Sequence, residues 1–375
     1  MDKRAARPIK RFPAMANQNP RAPAKLKPSE RAAAIRAFVL DNVGAHPDDI
    51  AAMVGDAFAL TRAAVSLHLL RLTGEGVLEA SGNTRQRRYR LAPAARASFE
   101  VRLDPDLSAD AVFASRVAPV LDGGRASVVD LCRHAFAAAL DNARDHSGAD
   151  VAAIVVERTV AAVEIAVTDR GTGLFEKIRR HFGLPDARRA ALELAKGRLT
   201  TDPLHHAGEG LFLATEMLDA IDIHCPNLSV ARVRDATGGW SATAGFDGLT
   251  GVGTRLAMRV ALDSGRTVAG VLASWHDGEG VRRRAHVPVG LARYPREPLV
   301  SRAQARAVLG RLESFPEATL DFEGVEAIGD DFAEEIFGVF ARAHPGTAIV
   351  PARASEAVAA TIDRIRTTRS GHRTG

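Results

Sequence analysis

Cysteine is almost missing from this chain: its 375 residues contain two, Cys132 and Cys225, far apart in the sequence. That argues against a disulfide framework and against a zinc site, and it suits a reducing cytosol. Both thiols read as ordinary buried side chains. Uncharged apolar runs of the roughly 18–20 residues needed to cross a membrane are also missing. The basic N-terminus has no apolar stretch followed by a cleavage site, so no signal peptide is expected and the expected location is the cytoplasm. There is no internal repeat. What is present is 46% hydrophobic and 25% charged residues, the composition of a soluble globular protein at a length that fits two or three domains.

The net charge of +5 is unevenly spread. Lys3, Arg4, Arg7, Lys10, Arg11, Arg21, Lys25 and Lys27 face Asp2 alone in the first 28 residues, alongside Pro8, Pro13, Pro20, Pro23 and Pro28. Residues 1–27 are therefore expected to form a basic, disordered arm. Such an arm raises affinity for nucleic acid through counterion release, or serves only as a solubilising tail.

Residues 28–92 read as three helices and a hairpin. Ser29 is placed to cap a run in which Ile35, Val39 and Leu40 recur at helical spacing. Asp48 and Asp49 sit in the first turn of a second helix. Thr61 caps a third, where Val65, Leu69 and Leu72 share one face, and Gly74 and Gly76 end it. Val77-Leu78-Glu79-Ala80 and Arg88-Tyr89-Arg90-Leu91 flank the turn signal Ser81-Gly82-Asn83. This order resembles a winged helix-turn-helix. The resemblance implies double-stranded DNA as partner, with Arg62, Ser66 and Arg71 on the recognition helix and Arg85, Arg87 and Arg88 on the wing. Leu67 and Leu70 depart from the pattern by placing apolar groups on the expected reading face, which leaves a protein-interaction module as the other reading. Pro93 and the run of residues 94–97 read as the junction to the next unit.

Residues 105–262 carry four short strings in order. A helix over residues 127–145 runs into Asp141-Asn142-Ala143-Arg144-Asp145-His146-Ser147-Gly148. A strand pair ends on Asp169-Arg170-Gly171-Thr172-Gly173. His205-His206-Ala207-Gly208-Glu209-Gly210 opens an amphipathic helix, and Gly251-Val252-Gly253-Thr254 enters a last strand. Each string alone is weak; their order and spacing together resemble the four boxes of the GHKL (histidine-kinase-like) ATP-binding superfamily over about 160 residues.

That resemblance implies ATP and Mg²⁺ as cofactors. Asn142 would offer Mg²⁺ a hard oxygen. Asp169 would accept from the adenine amino group, and Gly171 and Gly173 would let the backbone come close to the base. Gly208 and Gly210 would face the phosphates at a helix start, and Thr254 would support the adenine side. Lys196, Arg198, His205 and His206 are candidate phosphate contacts from an intervening lid, although a solvated loop explains them equally well. The pattern departs from hydrolysing members at one position. Their catalytic Glu stands four residues before the Asn, and here that residue is Ala138, which cannot act as a general base. Glu209 could substitute or simply face solvent. A helical hairpin bearing a phosphoacceptor His is not found ahead of residue 127.

Residues 284–366 alternate strand and helix, which predicts a small α/β layer fold. Strands are expected at Val287-Pro288-Val289-Gly290-Leu291-Ala292, at Ala318-Thr319-Leu320-Asp321-Phe322 and at Thr347-Ala348-Ile349-Val350. Helices are expected after Ser301, from Asp330 onward and after Ser355, with a tail over residues 367–375. The string from Leu320 to Phe332 resembles the centre of STAS domains, and the stretch from Glu297 onward a STAS-like domain of unknown function. In related partner-switching systems a Ser at this loop is phosphorylated; here Asp330 and Asp331 stand there, either mimicking that charge or simply suiting a helix N-terminus. The fold class expected is therefore multidomain α+β: a winged helix, a GHKL α/β sandwich and a small STAS-like domain. The function expected is an ATP-binding bacterial regulator that couples these three, with a protein partner for the last. A Ser/Thr kinase or slow ATPase related to the anti-sigma kinases, or an interaction scaffold with a degenerate pocket, are the alternatives.

Overall fold

The computed structural model describes residues 27–44, 46–83, 87–197, 199, 210–226, 228–234, 240–245, 253–275, 284–294 and 297–371. The chain folds into three units, each with its own buried core.

In the first, α1 (Pro28–Asn42), α2 (Ile50–Phe58) and α3 (Arg62–Gly74) precede an antiparallel hairpin of β1 (Leu78–Ser81) and β2 (Arg88–Leu91). Ile35, Val39, Ile50, Val54, Val65, Leu69, Leu72 and Tyr89 form its core, because helical spacing puts each set on one face. Thr61 caps α3, its hydroxyl accepting from the Ala64 amide at 3.3 Å. Ser29 does not cap α1. Pro28 starts that helix, having no N–H to leave unsatisfied, and the Glu30 carboxylate reaches back to the Lys27 amide at 3.0 Å.

The second unit is built on a seven-stranded antiparallel sheet among the described residues, in the order β3-β4-β5-β9-β6-β7-β8. The strands are β3 (Ala95–Arg102), β4 (Val151–Arg158), β5 (Ala162–Asp169), β6 (Ala220–Cys225), β7 (Leu228–Arg234), β8 (Trp240–Gly245) and β9 (Arg255–Ala261). The run read as a linker, residues 94–97, instead enters edge strand β3, so the sheet starts ahead of residue 105. The helices are α4 (Ala109–Val112), α5 (Ala126–His146), α6 (Leu174–His181), α7 (Ala187–Lys196), α8 (Gly210–Met217) and α9 (Val268–Trp275). Phe136, Ala139 and Leu140 of α5 are buried with Ile154, Ile165 and Met258 of the sheet. Val271 of α9 belongs to the same core, which carries this unit past the expected end at residue 262. The first unit touches the sheet where Arg90 of β2 approaches Glu157 of β4 at 3.9 Å.

In the third unit β10 (Arg284–Pro288), β11 (Glu317–Asp321) and β12 (Ala348–Ala352) form a parallel sheet in that order. Between and after them lie α10 (Arg302–Leu309), α11 (Asp330–Ala333), which continues as a π-helix over Glu334–Phe340 into α12 (Ala341–Ala343), and α13 (Glu356–Gly371). Ser301 caps α10 in a reciprocal box with Gln304. The strand expected over residues 287–292 stops at Pro288, which has no N–H for a ladder, and Val289–Ala292 forms a 3₁₀ turn. Helix α13 runs past the expected end at 366. Strict alternation sends Ala285, Val287, Ala318 and Leu320 into the core, and Arg284, His286, Glu317 and Thr319 to the opposite face.

Candidate functional site

Three of the four sequence strings meet at one end of the seven-stranded sheet. Asp169 is the last residue of β5, and Thr254 immediately precedes β9, its neighbour. Both are buried, each 2% exposed. The Asp169 amide donates to the Thr254 carbonyl at 2.9 Å, and the Gly253 amide to the Asp169 carbonyl at 3.1 Å. Asp169 Oδ1 accepts from the amides of Gly171 at 2.9 Å and Thr254 at 3.2 Å. Burial pushes the Asp169 carboxyl above its ordinary value, and these hydrogen bonds oppose that rise. Thr254 Oγ1 accepts from the Leu174 amide at 2.9 Å, fixing the start of α6.

The third string joins through Ser147, which closes α5. Its carbonyl accepts from the Thr172 amide at 2.9 Å. A side chain on Gly171 would stand 2.0 Å from that same oxygen, so only glycine fits. Gly173 lies at φ +88°, where an L side chain is strained. The glycines thus let strand end, helix end and loop close on one another. Ser147, Leu174 and the paired glycine Gly253 were not singled out in the sequence. The first two act through backbone groups, which residue type does not reveal.

Asn142 lies half-buried on α5, one turn beyond Ala138, and its side chain has no hydrogen-bond partner among the described residues. Ala138 packs at the rim of the core and brings no carboxylate to this helix face. Gly210 is the first residue of α8, exposed and with open space around its Cα. Buried Arg232 of β7 holds α8 in place, donating to Thr215 Oγ1 at 3.0 Å and Glu216 Oε1 at 3.1 Å. Arg198, His205, His206, Gly208 and Glu209 lie outside the described residues. Lys196 is not a solvent-facing lid residue: it is fully buried against the C-terminal unit, where its ammonium is hydrogen-bonded.

On the first unit, Arg62 and Ser66 are exposed on α3 together with Leu67 and Leu70. Arg71 pairs with Glu75 at 2.8 Å, and Arg88 with Asp48 at 2.8 Å through Nη2, so carboxylates already offset both charges. Arg87 is exposed beside the Tyr89 ring, and Arg85 lies outside the described residues. In the third unit Asp330 and Asp331 are exposed in the first turn of α11, paired with Arg364 and Arg302. Both cysteines are free and buried, and burial pushes the Cys132 thiol up to about 12.

No described helix is long and apolar enough to cross a membrane. Residues 304–359 match the model of a STAS-like domain of unknown function, DUF4325. No curated protein matches the chain.

Proposed function

We propose that the chain is an ATP-binding regulator. In this reading the sheet unit is a GHKL-type nucleotide domain, the first unit a DNA-binding winged helix, and the STAS-like unit a protein-contact domain. The observation that carries it is the convergence of Asp169, Gly171, Gly253 and Thr254 with the end of the helix bearing Asn142. Oδ1 of Asp169 is spent on the protein's own amides, which assigns reception of the adenine amino group to Oδ2.

Asn142 fits Mg²⁺ with a single neutral oxygen, since that ion keeps several waters and takes its remaining ligands from phosphates. Mg²⁺ would supply charge neutralisation at those phosphates. Ala138 removes the usual water-orienting carboxylate, which favours holding ATP over consuming it. STAS-like domains are commonly protein-interaction domains, which supports the third assignment.

Titration calorimetry with Mg-ATP tests the reading. Wild type is expected to bind, Asn142→Ala to lose the magnesium-dependent part of the affinity, and Asp169→Asn to lose most of it. Absence of heat with wild-type protein would remove the nucleotide assignment. Duplex-DNA affinity that is identical with and without Mg-ATP would remove the regulatory coupling.

A further inference from the structure

Helix α7 belongs to two units at once. Ala190 and Ala191 are buried in the core of the sheet unit, together with Leu174, Phe175 and Ile178 of α6. Leu192 and Ala195 of the same helix are buried with Ala305, Val308 and Leu309 in the core of the STAS-like unit.

At its last residue the Lys196 ammonium donates to Glu193 Oε1 at 2.7 Å, to the Ala307 carbonyl at 2.7 Å and to the Gly310 carbonyl at 2.9 Å. Three N–H groups meet three acceptors, which offsets part of the cost of burying this cation. The two carbonyls lie at the end of α10, where unpaired C=O groups and the helix dipole favour a positive charge. Arg311, at φ +67°, returns the contact, donating to Glu193 Oε2 at 2.8 Å and to the Glu193 carbonyl at 3.0 Å. The Tyr294 hydroxyl meets Asp186, whose other carboxylate oxygen caps α7.

Away from the latch the two units meet again where β8 packs on Val289–Ala292. A cavity of about 700 Å³ is lined by Arg234, Arg266 and Trp275 on one side and by Arg284, His286 and Thr319 on the other. The contact is therefore a tight latch at the end of α10, with a polar cavity beside it.

We infer that α7 is the coupling element through which occupancy of the Asp169 site changes the hold of Lys196 on α10. Every link is a packed contact of the described chain: Thr254 fixes the start of α6, α6 packs on α7, and α7 carries the latch. Nucleotide shifts the docking equilibrium to the extent that it prefers one docking state. The inference rests on the nucleotide reading above.

The experiment is hydrogen exchange over residues 187–196 and 302–312 of the full chain, with and without Mg-ATP, beside calorimetry on the same samples. Exchange of these amides is expected to change by about fivefold or more on nucleotide binding, and Lys196→Met is expected to abolish the change. Should that variant not fold, Arg311→Ala loosens the same contact from its rim. It is expected to blunt the exchange response and to shift Mg-ATP affinity, because coupling acts in both directions. Normal Mg-ATP binding with unchanged exchange at α7 and α10 would overturn the coupling and leave the nucleotide reading standing. Absence of Mg-ATP binding by calorimetry would overturn both.

Discussion

Thr254 and Asp169 are tied twice. The Asp169 amide donates to the Thr254 carbonyl at 2.9 Å, and the Thr254 amide donates to Asp169 Oδ1 at 3.2 Å. A buried carboxylate held in this way cannot turn away from what lies beyond the strand end, so its orientation is set before any ligand arrives. Fixed orientation is what separates a recognition group from a charge that happens to be nearby.

Asp169→Asn tests this directly. The amide oxygen can still accept from Gly171 and Thr254, so the fold is expected to survive. The NH₂ would then face another donor, the adenine amino group. Affinity for Mg-ATP is expected to fall about 10- to 100-fold, the cost of leaving buried polar groups mismatched. Calorimetry beside a urea melt separates the two effects, and equal affinity would remove Asp169 from the adenine contact.

Two glycines that the nucleotide reading assigns to the binding site are expected to behave differently. Gly171→Ala sets a methyl 2.0 Å from the Ser147 carbonyl oxygen, so it is expected to destabilise the sheet unit by about 1–3 kcal/mol. Gly210→Ala meets open space. Its stability is expected to stay within about 0.5 kcal/mol of wild type, while Mg-ATP binds more weakly. Urea midpoints read the first difference. Unchanged affinity in Gly210→Ala would mean that the start of α8 is not approached by phosphate.

Lys196 gives the latch a pH signature. Burial lowers its ammonium from 10.5 to about 8, against the opposing pull of Glu193. Between about pH 8 and 10.5 the folded chain has released this proton and the unfolded chain still holds it. Stability contributed at this position therefore rises with pH across that window. The Cys132 thiol, held up at about 12 by burial, pulls the other way in every variant. The quantity to measure is the difference in urea midpoint between wild type and Lys196→Met at a series of pH values. A flat difference from pH 7.5 to 10 would count against a buried ammonium.

On the first unit, Arg62 is exposed with no ion pair among the described residues, whereas Arg71 is compensated by Glu75. If α3 faces DNA, Arg62→Ala is expected to lower the salt slope of duplex binding by about one, and Arg71→Ala by less. Anisotropy titrations between 50 and 200 mM salt, the range over which such slopes are conventionally read, check this. Equal, unchanged slopes would favour the exposed Leu67 and Leu70 as a protein-contact face instead.

The order of helices and the hairpin in the first unit was legible because Thr61, Gly74 and the spacing of Val65, Leu69 and Leu72 are local signals. The meeting of Asp169 with Thr254 was also within reach, since both strings end or begin strands. Strand β3 was not: Pro93 and the alanines that follow look like a linker, and only pairing with β4 turns them into a sheet edge. Nor was the fate of Lys196. A lysine at the end of a short helix reads as solvated until another unit supplies acceptors, and Ala307 and Gly310 lie more than a hundred residues away. What was legible were elements with local signals, such as the Thr61 cap and the helical spacing along α3, and strings that sit at strand ends.

Strand β3 has a consequence for how these molecules share a crowded solution. As an edge strand it offers unpaired backbone groups that a second sheet could adopt, the usual route to aggregation. Arg96, Glu100 and Arg102 are exposed along it. Pairing another strand there would strip water from charges of both signs, a desolvation cost that disfavours edge-to-edge association. Arg96 also pairs with buried Glu157 at 3.2 Å, so it is best spared; neutralising Glu100 and Arg102 should leave the folded unit intact and shorten the time it stays clear of aggregates in light scattering.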